Sequence, residues 1–179
     1  MNSLMKQAWT SWQETRNETF VFIKSLTKEE LVRKMPRPGL DTFGFHCQEL
    51  GVIQHAFAHG LHNAEMDFSL MAFDRDTELN SDPDKLIKFL NDKDTSFLKA
   101  VESVNDPNQI IDWHLPRNPT ALEHVYWLMQ HETLHHGQFL AFCYMMNINI
   151  PEIMVQHWNM PPLAPEVVKQ WIKAQGLSK

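Results

Sequence analysis

Apolar residues recur every three to four positions through four long proline-free stretches of this chain, and each stripe predicts an amphipathic α-helix. The first stretch runs from Asn2 to Leu26, with Leu4, Ala8, Trp12, Thr15, Thr19, Phe22 and Leu26 on one face. Thr27-Lys-Glu-Glu30 then reads as a capping box that opens a short helix ending before Pro36. The second long stretch spans Thr42 to Met71 on a stripe of His46, Leu50, Ile53, Phe57, Leu61 and Phe68. Within it Gly51, Ala56, Ala58 and Gly60 permit close approach of a neighbour. The third begins at Asp82-Pro83, an N-cap with proline in the first turn, and carries Leu86, Leu90, Phe97, Val101 and Val104. A turn-rich connection from Asn105 to Pro119 follows, in which Ile110 to Leu115 reads as extended. Thr120-Ala-Leu-Glu123 is a second capping box and starts the fourth long helix, which runs to Met146. A last short helix is expected near Pro165 to Gln175. With no convincing strand alternation, the pattern predicts an all-α, up-down four-helix bundle with short extra helices in the connection and the C-terminal tail.

Composition narrows the class. The chain has 179 residues, 43% of them hydrophobic, and reads as one domain spanning positions 1–179. Sixteen Lys and Arg against 22 Asp and Glu give a net charge of −6 without a basic run, which argues against nucleic acid as a partner. No apolar run reaches the length of about 18 residues that a membrane helix needs, and the N-terminal residues lack a signal-peptide core. Two cysteines, Cys47 and Cys143, make no disulfide framework and suit a reducing, cytoplasmic setting. Ten histidines are the unusual entry.

Four of the histidines lie in the fourth helix. At about 100° per residue, His124, His131 and His135 fall within about 40° of one another, in the sector of Leu128, Phe139 and Phe142. They therefore point into the bundle, where an imidazole needs a hydrogen-bond partner or a metal. His131 and His135 stand one turn apart, so both nitrogens can meet one cation at about 2.0–2.1 Å. A lone inward histidine such as His124 is more often a satisfied core residue. His136 is rotated about a quarter turn from the pair, with a surface role as good an account as a local hydrogen bond. Gly137 suits close approach of another element, and Gln138 returns toward the histidine sector, where it could orient a ligand.

His131-Glu-Thr-Leu-His135 is also, letter for letter, the H-E-x-x-H of zincin peptidases, with Glu132 as the general base. The continuation argues against it: Gln138 and Ala141 stand where a metzincin has glycine and histidine. A carboxylate third ligand could come only from Glu152 or Glu166, and no strand is predicted to hold a peptide. Glu132-Thr-Leu-His135 fits the E-x-x-H of di-iron bundles too, but the chain has no second copy.

A third pattern covers more of the sequence. The run from His131 to Gln138, a His-x-x-x-His pair followed by Gly-Gln, resembles the last-helix signature of the DinB/YfiT-like superfamily of four-helix-bundle metalloenzymes. Arg37-Pro-Gly-Leu-Asp-Thr-Phe-Gly44 resembles that family's Pro-Gly-x-x-(Ser/Thr) entry into the second helix. The resemblance implies a divalent metal ion, nickel or zinc first and iron or manganese as alternatives, on three side chains. Two are His131 and His135. The third normally lies about seven residues past the Ser/Thr, which here is Glu49 where the family usually has histidine. A two-histidine, one-carboxylate set suits such metals and leaves positions open. His46, one turn before Glu49, is the alternative third ligand, or a fourth that would close the site. His55, His59 and His62 lie on the opposite face, where a solvated role is the simpler account.

The family resemblance further implies a thiol-dependent transferase or a hydrolase acting on a small-molecule substrate, with a low-molecular-weight thiol as one candidate and a homodimer as the assembly. The alternative is a bundle that binds a metal or small ligand without turnover. Trp113, Trp158 and Met160 are expected either to roof a pocket or to cover the bundle ends.

Overall fold

The computed structural model describes residues 1–37 and 39–157. Seven α-helices lie in this part: α1 (Ser3–Ser25), α2 (Lys28–Val32), α3 (Phe43–Asn63), α4 (Thr77–Asn80), α5 (Pro83–Ser103), α6 (Ala121–Met146) and α7 (Glu152–His157). The four long ones, α1, α3, α5 and α6, form the bundle, so the all-α fold expected from periodicity is present. Each is started by a side-chain cap, as expected at Asp82 and Thr120. Asn2, Thr42, Asp82 and Thr120 accept first-turn backbone N–H groups, and both capping boxes, Thr27/Glu30 and Thr120/Glu123, are closed in both directions. Helices α1 and α3 each pack against both α5 and α6, which leaves α1 opposite α3 and α5 opposite α6. Periodicity gives no access to that order. No described helix is long and apolar enough to cross a membrane.

The second long helix is shorter than its stripe suggests. It stops at Asn63, Ala64 turns left-handed at φ 55°, and a separate 3₁₀ turn, Phe68–Met71, begins at Asp67. The chain leaves the helix because its backbone finds other partners: the Asp112 amide donates to the Ala64 carbonyl at 2.9 Å, and the Met66 amide to the Asp112 carbonyl at 2.7 Å. Phe68 consequently falls off the core face and is 45% exposed. The stretch expected to be extended, Ile110 to Leu115, makes only the isolated bridges Ile110–Thr120 and Glu65–Asp112, and there is no strand among the described residues. Leu4 also faces solvent, and Met5 takes its place inside. Helix α7 starts earlier than the tail helix expected at 165–175, which lies outside the described residues, as do Trp158 and Met160.

The apolar core is in two parts. One holds Met5, Trp12, Phe57, Phe97, Val101 and Leu128; the other holds Phe22, Phe43, Leu50, Leu90, Phe139 and Phe142. A polar layer separates them. Arg16 of α1, 1% exposed, donates to Gln54 Oε1 of α3 at 3.0 Å and pairs with Asp94 of α5 at 3.3 Å and Glu132 of α6 at 3.2 Å. Thr19 donates to Glu132 Oε1 at 2.5 Å, and its oxygen lies 2.7 Å from His136 Nε2. His136 Nδ1 is 3.5 Å from Glu18. His136 is therefore fully buried against α1, not at the surface. Burial pushes the Glu132 carboxyl above its ordinary range, with the Arg16 charge and the Thr19 hydrogen bond pulling it back.

At one end of the bundle, His124 is the satisfied core histidine that its isolation suggested. Trp113 Nε1 donates to His124 Nδ1 at 3.0 Å, which puts the ring proton on Nε2, and Nε2 donates to the Phe57 carbonyl at 2.9 Å. Gly60 makes room for this ring, since a Cβ there would stand 3.0 Å from its Cε1. Trp113 covers this end against Phe57, Phe68 and Trp127. Burial lowers the His124 pKa to about 4, partly offset by the bond to Phe57.

Two measurements check this account. Arg16→Ala leaves the fully buried Glu132 carboxylate without its counter-charge and should cost about 3–5 kcal/mol in urea denaturation. The double variant Arg16→Met/Glu132→Gln should recover much of that loss. His124 should remain the neutral Nε2–H tautomer in long-range ¹H–¹⁵N NMR spectra from pH 8 down to about 5. Its folded pKa is depressed below the ordinary 6.5, so its contribution to stability is whole above pH 6.5 and is lost as pH falls from there toward 4.

Candidate metal centre

The site grows from the start of α3. Thr42 caps the helix by accepting from the Phe45 amide, and the helical turn then sets His46 and Glu49 three residues apart on one face. His46 Nδ1 and Glu49 Oε2 are 2.9 Å apart. The Asp41 amide donates to His46 Nε2 at 3.4 Å, which assigns the ring proton to Nδ1 and makes the imidazole the donor to the carboxylate. Asp41 is itself held by an ion pair with Arg75.

The other half comes from α6. His131 and His135 face α3, and their Nε2 atoms are 3.3 Å apart. His135 Nε2 lies 4.0 Å from Glu49 Oε2, and its ring centroid is 5.3 Å from that of His46. Candidate ligand atoms of His46, Glu49 and His135 all fall within 4.8 Å of one another. Of the residues singled out in the sequence, the fold thus gathers Glu49, His135 and His46 in one place, and His131 adjoins them through His135. Two nitrogens bound to one tetrahedral cation at about 2.0–2.1 Å stand about 3.3–3.4 Å apart, so the pair already has the bite a cation requires. The outer nitrogens, Nδ1 of His131 and Nδ1 of His135, are buried without hydrogen-bond partners among the described residues. The donor set and its spacing fit a divalent cation.

Electrostatics put the cluster in a ligating protonation state. Burial pushes His135 down to about 4, helped by neighbouring His131 and opposed by Glu49. His131 is also depressed, by burial, with Glu49 opposing and Arg16 assisting. For Glu49, burial raises the carboxyl, but the hydrogen bond from His46 and the neighbouring imidazoles outweigh it, so it sits below its ordinary range. At neutral pH the α6 imidazoles are uncharged because they are buried, and Glu49 is ionised with the hydrogen bond from His46 holding it down. Two neutral imidazoles and a carboxylate are what a cation takes without displacing protons.

The remaining candidates go elsewhere. Glu132, the general base of a peptidase reading, is fully buried and turned toward Arg16 and Thr19 on α1, so the H-E-x-x-H letters do not assemble a zincin site. His55 and His62 are exposed, and His59 lines a separate cavity of about 420 Å³ with Glu65, Asp67 and His114. Burial pushes the Cys47 thiol up to about 12, so it stays protonated and makes a poor nucleophile or ligand. Sequence reasoning missed Asp41 and Arg75. Their roles depend on a loop closing across the α3 start, and nothing in their spacing announces it.

Along the neighbouring face of α6 lies a cavity of about 710 Å³. Its walls are Arg37, Gly39 and Leu40 of the loop before α3 and α6 positions between 130 and 142. None of the four clustered residues lines it, although Gln130 immediately precedes His131. Gln138 belongs to this wall and makes no hydrogen bond to His131 or His135, contrary to the orienting role expected from its place on the helix.

Comparisons with known proteins agree with this architecture. A crystal structure of a DinB-like protein from Bacillus cereus ATCC 10987 superposes with a TM-score of 0.62 at 18% sequence identity, covering 82% of this chain and 95% of that one. No curated protein matches the sequence. The family description "DinB superfamily" matches residues 11–139, well over half of the chain. The chain belongs to the DinB superfamily.

Proposed function

We propose that this protein is a metal-dependent enzyme in which a divalent cation is held between α3 and α6 by Glu49, His131 and His135. Nickel or zinc comes first among the candidates, with iron or manganese as alternatives. The observation that carries the reading is the convergence of two neutral imidazole nitrogens, 3.3 Å apart, on a carboxylate 4.0 Å from one of them. As a Lewis acid with open positions, such a cation would bring a bound thiol or water toward ionisation near neutral pH, which suits thiol transfer or hydrolysis on a small molecule. The chain's own residues supply the rest. His46 donates to Glu49 and aims its carboxylate at the α6 pair, and burial of His131 and His135 keeps both rings unprotonated.

A second reading, metal binding without turnover, draws on the same His46. If its Nδ1 turned from Glu49 to the cation, the four side chains would form a closed set of the structural kind. Elemental analysis of untagged protein separates the two. Near one metal per chain is expected in the parent, and its loss in both His135→Ala and Glu49→Ala. His46→Ala should keep the metal with affinity reduced about 10–100-fold, as for a residue that positions a ligand. If His46→Ala abolishes binding as completely as His135→Ala does, the closed site is the correct one. A parent that takes up none of the four metals refutes the centre altogether.

A further inference from the structure

The cavity along α6 carries one charge. Arg37 is the sole charged side chain among its described lining residues, the rest being neutral amides, a hydroxyl, glycines and apolar groups. Elsewhere in the chain, arginine is used as internal mortar. Arg16 pairs with Asp94 and Glu132, Arg33 donates to the Met146 carbonyl, Arg75 pairs with Asp41, and Arg117 pairs with Glu123. Arg37, the remaining arginine, has no acceptor among the described residues, in a chain whose carboxylates outnumber its cations by six charges.

Its loop is nonetheless built. The Met35 amide donates to the Asp41 carbonyl at 3.0 Å, Lys34 and Thr42 bridge across the base, and the Leu40 amide closes a turn onto the Arg37 carbonyl at 3.2 Å. Gly39 allows that turn by adopting φ 86°. An exposed guanidinium on a closed loop thus borders an open, mostly apolar groove, an arrangement suited to an anionic head group. Leu40, Leu134, Ala141 and Phe142 supply the wall for a short apolar tail, and 710 Å³ is room for a small organic molecule.

We infer that this cavity is the binding site of a small organic monoanion, a carboxylate with a short apolar tail, whose carboxylate is received by Arg37. The planar fork of arginine matches a carboxylate, and a single cation balances a single negative charge. A phosphate dianion would leave a charge that no other described lining residue offsets. The inference deepens the proposed function by naming a substrate class, and it rests on that reading only for what happens to the ligand after binding. Gln130 lies next to His131 in sequence, and Gln138 returns to within about 20° of His131 on the helix, so the bound molecule lies alongside the cluster.

Hexanoate is the probe, followed by ligand-observed NMR titration of the protein kept metal-free with EDTA, so that the centre plays no part. Hexanoate should bind more tightly than hexan-1-ol, hexylammonium or hexyl phosphate. Arg37→Ala should weaken it at least tenfold and Arg37→Lys less. Gly137→Phe should block it without lowering Tm, because a Cβ at Gly137 meets nothing within 4 Å. Equal binding of the alcohol or the ammonium, preference for the phosphate, or unchanged affinity in Arg37→Ala would overturn the assignment. So would a change of oligomeric state in Gly137→Phe, which would make the groove a contact between two copies. Metal content, measured separately on Arg37→Ala, should equal that of the parent. Failure of the centre and failure of the anion site are thus told apart.

Discussion

The guanidinium of Arg16 reaches every long helix of the bundle. It leaves α1, meets an amide on α3 and carboxylates on α5 and α6, and lies where the two apolar clusters divide. Apolar stripes alone hold helices together but tolerate sliding and rotation, because one leucine contact is worth much the same as the next. Hydrogen bonds and ion pairs in a buried layer have no such tolerance. A shift of one turn on any helix would strand a carboxylate or the guanidinium in an apolar medium, at a cost of several kcal/mol. The layer is thus a poor source of net stability and an effective determinant of register.

Register matters most for α6. Glu132 and His136 are bound to α1 through Thr19, Arg16 and Glu18, and both precede or follow a cluster histidine by one residue. One residue is about 100° of helix rotation. With positions 132 and 136 pinned on α1, positions 131 and 135 must face α3, where His46 and Glu49 wait. The run His131-Glu-Thr-Leu-His135-His136 therefore holds two interlocked pairs: His131 and His135 for the cluster, Glu132 and His136 to fix the rotation that aims them. The glutamate that looks like a peptidase base is part of the mounting.

Much of this was legible in the chain because local rules govern it. Caps at Asp82 and Thr120 and the apolar stripes located the helices, and the inward i, i+4 histidines with Glu49 and His46 located the cluster. What escaped has a common physical origin. Hydrophobic periodicity leaves Arg16 off the α1 stripe, and it leaves His136 open between a surface role and a local hydrogen bond, because burial of a polar group depends on partners distant in sequence. The end of α3 escaped for the same reason, since its last carbonyl is claimed by Asp112, almost fifty residues downstream. The diagonal placement of α1 against α3 and of α5 against α6 likewise belongs to the connections, which carry no period.

The character of the centre turns on a single imidazole. His46 has two ring nitrogens, and both are engaged: Nε2 accepts from the Asp41 amide and Nδ1 donates to Glu49. As a ligand it would have to give up one of these bonds. Giving up the second would free Glu49, the half-buried member of the set, from the contact that aims it and holds its pKa down. Through Nδ1 the chain therefore cannot gain His46 as a ligand without loosening Glu49, whereas through Nε2 it would give up only the 3.4 Å bond from the Asp41 amide. A tightly closed site would ask for separate partners for Glu49, and the described residues within its reach are the same histidines. What His46 does for Glu49 in either case is fixed by the 2.9 Å contact between them: as long as Nδ1 keeps its proton, the imidazole aims the carboxylate toward the α6 pair.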